Sequence, residues 1–402
     1  ACTIQISRRM SKSEHMIANA DSIRIPLADG VVQCVVTSPP YWGLRAYSGE
    51  QERVWPDGWR GGLGLEPTPE LFIEHLVQVF REVRRVMRPD AVAWVNMGDC
   101  FNDKQLVMMP HRLALALQAD GWWVRSDVVW AKPNPMPESL SGWRWEQCKV
   151  KVKAEATRAQ GYNNQRPDGQ SSPFRDHSGY EMLNAAQYQP CTGCPKCEAT
   201  DGLVLRRGSW RPTSSHEYVF MLAKSSTYFS DGEAVREGVK PTSGVNMRAP
   251  KLGDHRRDGN YNTVTTKTYS RICGANCRSV WNIATQPFKG AHYATFPTAL
   301  AQRCVLASTS RHACAECGAP WARVVEKKSH RPSCRCGADV RPCIVLDPFC
   351  GSGTVGQVCR ELPHQRDFVG IDLSFEYLQE QALVRSERRT PPSALAELPM
   401  FA

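Results

Sequence analysis

What the chain lacks narrows it first. No stretch approaches the ~18–20 apolar residues of a membrane-spanning helix. The polar segment from Ala1 to Met16 has no apolar core of the kind that marks a secretory signal. Acidic side chains are in deficit, with 40 Asp and Glu against 50 Lys and Arg, so the formal net charge is +10 and a polyanionic partner is favoured. No Lys follows Gly353 in the one clear Gly-x-Gly turn, which excludes a phosphate loop. No His-x-Glu stands upstream of Pro190-Cys191-Thr192-Gly193-Cys194, which excludes a nucleobase deaminase of the zinc type.

Cysteine, by contrast, is plentiful. Of 17 residues, seven fall in tight clusters with metal-ligand spacing. Without a secretion signal, zinc in a reducing compartment accounts for them better than disulfides, and a cytoplasmic protein is expected. Cys314-x2-Cys317 and Cys334-x-Cys336 form two close pairs separated by a hairpin-sized segment, a strong structural zinc pattern. Cys191, Cys194 and Cys197 supply three more thiols. Cys148 is chosen as their fourth because it borders the same insertion, with Cys273 and Cys277 as rivals.

Strand and helix patterns alternate through the first third. Val31–Val36 is an apolar run ended by Pro39 and Pro40, which cannot donate ladder hydrogen bonds. On its own, Thr37–Trp42 reads equally as a plain strand-ending turn or as a ligand site, and Trp42 as a core residue or part of a stacking wall. Gly43–Pro67 is a Gly- and Trp-rich loop over that strand end, with a lid as one role. Thr68, Pro69 and Glu70 open a helix with an apolar stripe at Phe72, Leu76, Phe80, Val83 and Met87, stopped by Pro89-Asp90. Strand Ala91–Asn96, helix His111–Ala119 and strand Trp122–Trp130 follow. This alternation predicts an α/β fold: a Rossmann-like, doubly wound, mostly parallel sheet with irregular zinc-containing insertions.

Later segments complete it. Tyr218–Leu222 and Val280–Ile283 read as strands, and Thr298–Ala307 as a helix. Residues 236–280 are irregular and basic, suited either to phosphate contact or to a solvated loop. Ile344–Asp347 is a strand running into Pro348-Phe349-Cys350-Gly351-Ser352-Gly353-Thr354, and Phe368–Asp372 is the next strand, followed by a helix from Ser374. Glycines at the turn permit close approach of a ligand to backbone, and an acid at the end of the following strand suits a ribose diol, so this unit describes a nucleoside-cofactor site.

Together these segments resemble the DNA amino-methyltransferases that use S-adenosylmethionine. Thr37-Ser38-Pro39-Pro40-Tyr41 resembles the family's catalytic motif, Asp347–Thr354 its cofactor motif, and His292-Tyr293-Ala294-Thr295-Phe296-Pro297 the segment that folds over the methionine end of the cofactor. The catalytic motif comes first, which is the circularly permuted, β-class order. The resemblance implies Ser38, Pro39, Pro40 and Tyr41 as catalytic residues. It implies a cofactor pocket from Asp21, Thr37, His292, Phe296, Pro297, Asp347, Pro348, Phe349, Gly351, Ser352, Gly353, Thr354 and Asp372. In that family Ser38 Oγ and the Pro39 carbonyl would accept from the target amine, and Tyr41 would stack on a base swung out of the duplex. Ser rather than Asp at position 38 favours cytosine N4 over adenine N6 as the target.

The expected organisation is a catalytic half (17–137), a target-recognition region with a cysteine knuckle (138–280, with 203–230 returning to the core), a cofactor-binding half (281–389) interrupted by a zinc ribbon (311–340), and a tail (390–402). Double-stranded DNA is the implied partner. Members of that family are often dimers and can act with a cognate restriction endonuclease, two points the sequence itself leaves open, and a bacterial or bacteriophage-encoded protein is expected. RNA methylation and a catalytically silent zinc-dependent DNA-binding protein are the rival readings.

Overall fold

The structure is a computed structural model and describes residues 15–43, 52–135, 141–152, 187–238, 274–286, 296–324, 329–375 and 378–387. His292, Cys273, most of the basic segment (239–273) and the tail from residue 388 lie outside the described residues. Two compact units divide the chain, one from residues 1–135 and 215–402, the other Met136–Ser214.

The larger unit is built on an eight-stranded sheet. In chain order its elements are β1 (His15–Asn19), β2 (Val32–Thr37), α1 (Pro69–Val86), β3 (Met87–Met97), α2 (Met109–Ala119), β4 (Trp123–Ala131), β5 (His216–Ala223), β6 (Val280–Asn282), α3 (Thr298–Ser308), β7 (Ile344–Asp347), α4 (Thr354–Glu361) and β8 (Asp367–Asp372). The order across the sheet is β1-β8-β7-β2-β3-β5-β4-β6. Every neighbouring pair is parallel except those of β5, which runs against both β3 and β4. The mostly parallel, doubly wound α/β sheet is thus the one expected.

Alternation along the strands builds a core on each face. Val35, Ala93, Val95, Leu346 and Ile371 pack with Phe72, Leu76, Val79, Phe80 and Val83 of α1 and Leu113 and Leu117 of α2. Cys34, Val36, Val92, Trp94, Val345 and Phe368 pack on the other face with Leu300, Ala301, Cys304 and Val305 of α3 and Val355, Val358 and Cys359 of α4. β2 lies at the middle, and all six of its residues are buried. Thr68 caps α1 as expected, its side chain accepting from Leu71 N–H. The helix stops at Val86 rather than at Pro89. Met87, Arg88 and Pro89 already belong to β3, because this end of the strand exposes its missing N–H at little cost.

The smaller unit pairs Ser141–Gln147 with Leu203–Trp210 and Lys149–Val152 with Gln187–Pro190, both antiparallel. The larger unit resumes at Ser215, and Leu203–Trp210 spends its ladder on the insertion's own strand.

Candidate active site

The carboxyl ends of β1, β8, β7, β2 and β3 share one edge of the sheet, where open α/β sheets bind ligands. Register sets Asn19 beside Asp372, Asp347 beside Gly370, and Thr37 beside Val95. Thr37 Oγ1 donates to Asp347 Oδ1 at 2.7 Å, joining the Ser-Pro-Pro-Tyr strand directly to the glycine-turn strand. Asp347 Oδ1 also accepts from Phe349 N–H. Burial nonetheless pushes the Asp347 carboxyl up to about 7, with neighbouring Asp372 adding to the rise.

The turn after β7 is shaped by Gly351 and Gly353, at φ 48° and 73°, where a β-carbon on Gly353 would stand 2.8 Å from the Ala382 backbone. Asp372 holds the turn from the next strand: one oxygen accepts from Gly351 N–H at 2.9 Å and the other from Ser374 N–H at 2.9 Å. Burial raises its carboxyl above the ordinary value. Ser22 Oγ donates to the Pro348 carbonyl, which brings the Asp21 turn to the same loop, while Asp21 itself is paired with Arg53. Arg385 donates to the hydroxyls of Ser352 (2.8 Å) and Thr354 (3.0 Å). Phe296 is buried in the core on the α3 side, and Pro297 caps α3. Acids, hydroxyls, a guanidinium and close-approach backbone gathered at one edge are a donor set suited to a small zwitterionic nucleoside.

Asp347 gives a pH prediction. Its folded-state value lies above its ordinary 3.8, so between the two the folded chain holds a proton that the unfolded chain has released. Stability must then fall as pH rises through that window. Asp347→Asn keeps both hydrogen bonds to Oδ1 and removes the titration. In urea titrations of the ligand-free protein, it should lose about 2–3 kcal/mol less stability than the parent between pH 5 and 8.

Past β2, Ser38 and Tyr41 enter a polar cluster. Tyr41 Oη donates to Glu217 Oε2 at 2.9 Å, and Ser38 Oγ donates to Tyr41 Oη at 3.4 Å. Asn96 Nδ2 donates to Glu217 Oε2 (2.8 Å), Tyr41 Oη (3.0 Å) and, at longer range, Ser38 Oγ (3.5 Å). Lys132 pairs with the other oxygen of Glu217. Burial, then the Glu217 carboxylate, hold the Tyr41 phenol well above its ordinary value. A β-carbon on Gly98 would meet the Tyr41 ring at 2.8 Å, so the ring's seat requires glycine there.

Asn96, Lys132, Glu217 and Arg385 were not read as site residues from the sequence. Glu217 stands near the start of its strand, but β5 runs antiparallel to its neighbours, so its first residues reach the edge where they finish.

Trp42 resolves as a core residue, buried with Nε1–H donating to the Glu66 carbonyl at 2.8 Å. The described part of the expected lid, 52–67, is fastened to α1. Glu66 accepts from Gly64 N–H and faces His75 Nδ1 at 2.8 Å, and His75 stacks on Trp55 at 3.8 Å. This holds the chain leaving Tyr41 in place.

The cysteines assemble as two groups of four. Cys148, Cys191, Cys194 and Cys197 form one, and Cys314, Cys317, Cys334 and Cys336 the other, with all sulfurs of each group within 4.8 Å of one another. Cys148 Sγ lies 3.8 Å from Cys194 Sγ, which lies 3.6 Å from Cys197 Sγ. These match the edge of about 3.8 Å that a zinc tetrahedron with 2.3 Å bonds would give, and no disulfide is formed. The second group stands at the opposite end of the strands from Ser38: Gln33 at the start of β2 donates to Gly318 O, and Arg88 at the start of β3 donates to Cys317 O.

No helix among the described residues is long and apolar enough to cross a membrane. The sequence model of the DNA methylase family N6_N4_Mtase matches residues 32–383. The type II methyltransferase M.Cfr9I of Citrobacter freundii is 31% identical over 90% of this chain and 83% of its own length. M.SmaI of Serratia marcescens is 30% identical over 86% and 82%. Among solved structures, the cytosine-N4-specific PvuII DNA methyltransferase is 13% identical, with coverage of 98% and 95% and a TM-score of 0.47. With the match running through both the Ser-Pro-Pro-Tyr segment after β2 and the glycine turn after β7, the chain belongs to the N6_N4_Mtase DNA methylases, the S-adenosylmethionine-dependent amino-methyltransferases.

Proposed function

We propose that this protein methylates the N4 amino group of cytosine in duplex DNA, as the modification partner of a cognate type II restriction endonuclease. The observation that carries the reading is the hydrogen bond between Thr37 and Asp347, which sets the base-side and cofactor-side motifs against each other at one sheet edge. Ser38 supports cytosine over adenine.

S-adenosylmethionine, when bound, supplies an electrophilic methyl group on a sulfonium. Asp21, Asp347, Asp372, the backbone of Gly351 and Gly353, and the hydroxyls of Ser352 and Thr354 would hold it. The chain's own residues do the rest. An exocyclic amine is a weak nucleophile because its lone pair is conjugated into the ring. Ser38 Oγ and the Pro39 carbonyl accept from its two N–H groups and draw the nitrogen toward tetrahedral geometry. Tyr41 carries the face of the flipped base. Positioning supplies most of the rate, and no covalent enzyme intermediate is needed.

Each cysteine group holds one structural zinc ion. The Cys148 group belongs to a target-recognition insertion, and the Cys314 group closes the end of the sheet remote from the chemistry.

Transfer of labelled methyl to duplex DNA, followed by nucleoside analysis, tests the reading. N4-methylcytosine is expected. N6-methyladenine would move the assignment to adenine, and DNA binding with no transfer to any duplex would leave a silent DNA-binding protein.

A further inference from the structure

Methylating an amine leaves the nitrogen with one proton too many, and the proposed role of Ser38 does not say where that proton goes. A serine hydroxyl is a poor final acceptor. Behind Ser38 stands a directed series of hydroxyls: Ser38 Oγ donates to Tyr41 Oη, and Tyr41 Oη donates to Glu217 Oε2. The 3.4 Å first link is of the kind that tightens once substrate is bound. Asn96 only donates to this series, through Nδ2, so it orients the oxygens without taking a proton. Lys132 occupies Oε1 of Glu217, and Oε2 accepts from both Tyr41 and Asn96, so the tyrosine faces the carboxylate oxygen free of the lysine.

We propose that Glu217 is the terminus of a proton relay, Ser38 to Tyr41 to Glu217, that removes the proton released by the target amine. The inference rests on the reading of Ser38 given above. As the N–C bond forms and the methyl–sulfur bond breaks, the nitrogen becomes positively charged. Its proton passes to Ser38 Oγ while the Ser38 proton passes to Tyr41 Oη and the Tyr41 proton to Glu217 Oε2. Both hydroxyls end neutral, as they began. The carboxylate becomes a carboxylic acid, and the electron pair of the broken N–H bond stays on the methylated nitrogen. Burial keeps the Tyr41 phenol protonated, so it passes the proton on instead of giving up its own permanently. Glu217 retains 15% side-chain exposure, enough to return the proton to water between turnovers.

The test is single-turnover methyl transfer to duplex DNA by the full chain. Glu217→Gln keeps an acceptor for Tyr41 and Asn96 but cannot take the proton. It should slow transfer by about 100-fold or more, with cofactor and DNA dissociation constants within about threefold of the parent. Glu217→Asp should retain more activity than Glu217→Gln. Tyr41→Phe, which keeps the ring and cuts the relay, should slow transfer to a similar degree, and the double variant should be no slower than the slower single one. Three results would overturn the relay: Glu217→Gln within about threefold of the parent rate, a fully active Tyr41→Phe, or additive losses in the double variant. A parent protein that methylates no duplex defeats the reading of Ser38 as well, so the two failures are told apart by the parent's own activity.

Discussion

Ser38→Ala should lower single-turnover methyl transfer by about 100- to 1000-fold, the scale seen when one preorganised polar contact to a transition state is removed. Cofactor binding should stay unchanged. The separation is built into the sheet. Thr37, one residue earlier, faces Asp347 and the cofactor motif, whereas Ser38 faces Tyr41 and Asn96. Among the described residues the Ser38 hydroxyl makes contacts of 3.4 and 3.5 Å, so its loss should cost no more than about 1 kcal/mol of stability. Isothermal titration with S-adenosylmethionine and rapid-quench transfer assays on the same preparation check both halves. A variant that transfers methyl at the parent rate refutes the role of Ser38. One that fails to bind cofactor shows that the two motifs are not separable in this way.

The second large effect concerns metal. Freshly purified protein should carry two zinc ions per chain, and Cys194→Ser should lose one of them together with the folded insertion. The reason is that the described residues of the insertion form no other core. Among the described residues of Met136–Ser214, only Cys148 and Cys197 are buried, while Trp145, Tyr188, Leu205 and Trp210 are exposed. Structural zinc contributes on the order of 10 kcal/mol to small domains of this kind, and nothing else among the described residues of the insertion would replace it. Limited proteolysis should therefore cut within 136–214 in Cys194→Ser or after chelation, and leave the larger unit intact. Cys317→Ser should behave differently, because its group is also braced by Gln33 and Arg88, and Arg323 nearby forms a two-pronged pair with Asp231 at 2.6 and 2.7 Å. Under one zinc per chain, or protection of 136–214 in Cys194→Ser, would defeat the assignment.

Much of this was legible in the sequence because the signals were local. The Thr68 cap, the α1 stripe, the glycine turn and the spacing of the cysteine pairs each depend on residues close along the chain. Cys148 borders the insertion in the sequence, and its sulfur lies with those of Cys191, Cys194 and Cys197 in the fold. What escaped depended on direction and depth. The reversal of β5 cannot be read from Tyr218–Leu222, whose apolar run looks the same in either sense, and with it went Glu217. Pro89 reads as a helix stop, yet the helix had already ended at Val86, and Met87 is fully buried as the first residue of a strand. Trp42 could have faced a base or the core, and only the carbonyl of Glu66 decides for the core.

The bond between Thr37 and Asp347 spans 310 positions of the chain. β2 meets its partner β3 soon after it emerges from the ribosome, but its other partner, β7, is made some three hundred residues later. At about 5–20 residues per second, that edge of β2 waits on the order of tens of seconds. Val32-Gln33-Cys34-Val35-Val36-Thr37 is a wholly buried, β-prone strand in the finished protein. In the nascent chain it is an open edge of the kind that recruits foreign strands. The permuted order thus places a burden on biosynthesis: one edge of a central strand stays open until residue 347 is made, and crowding by neighbouring nascent chains is most hazardous over that interval.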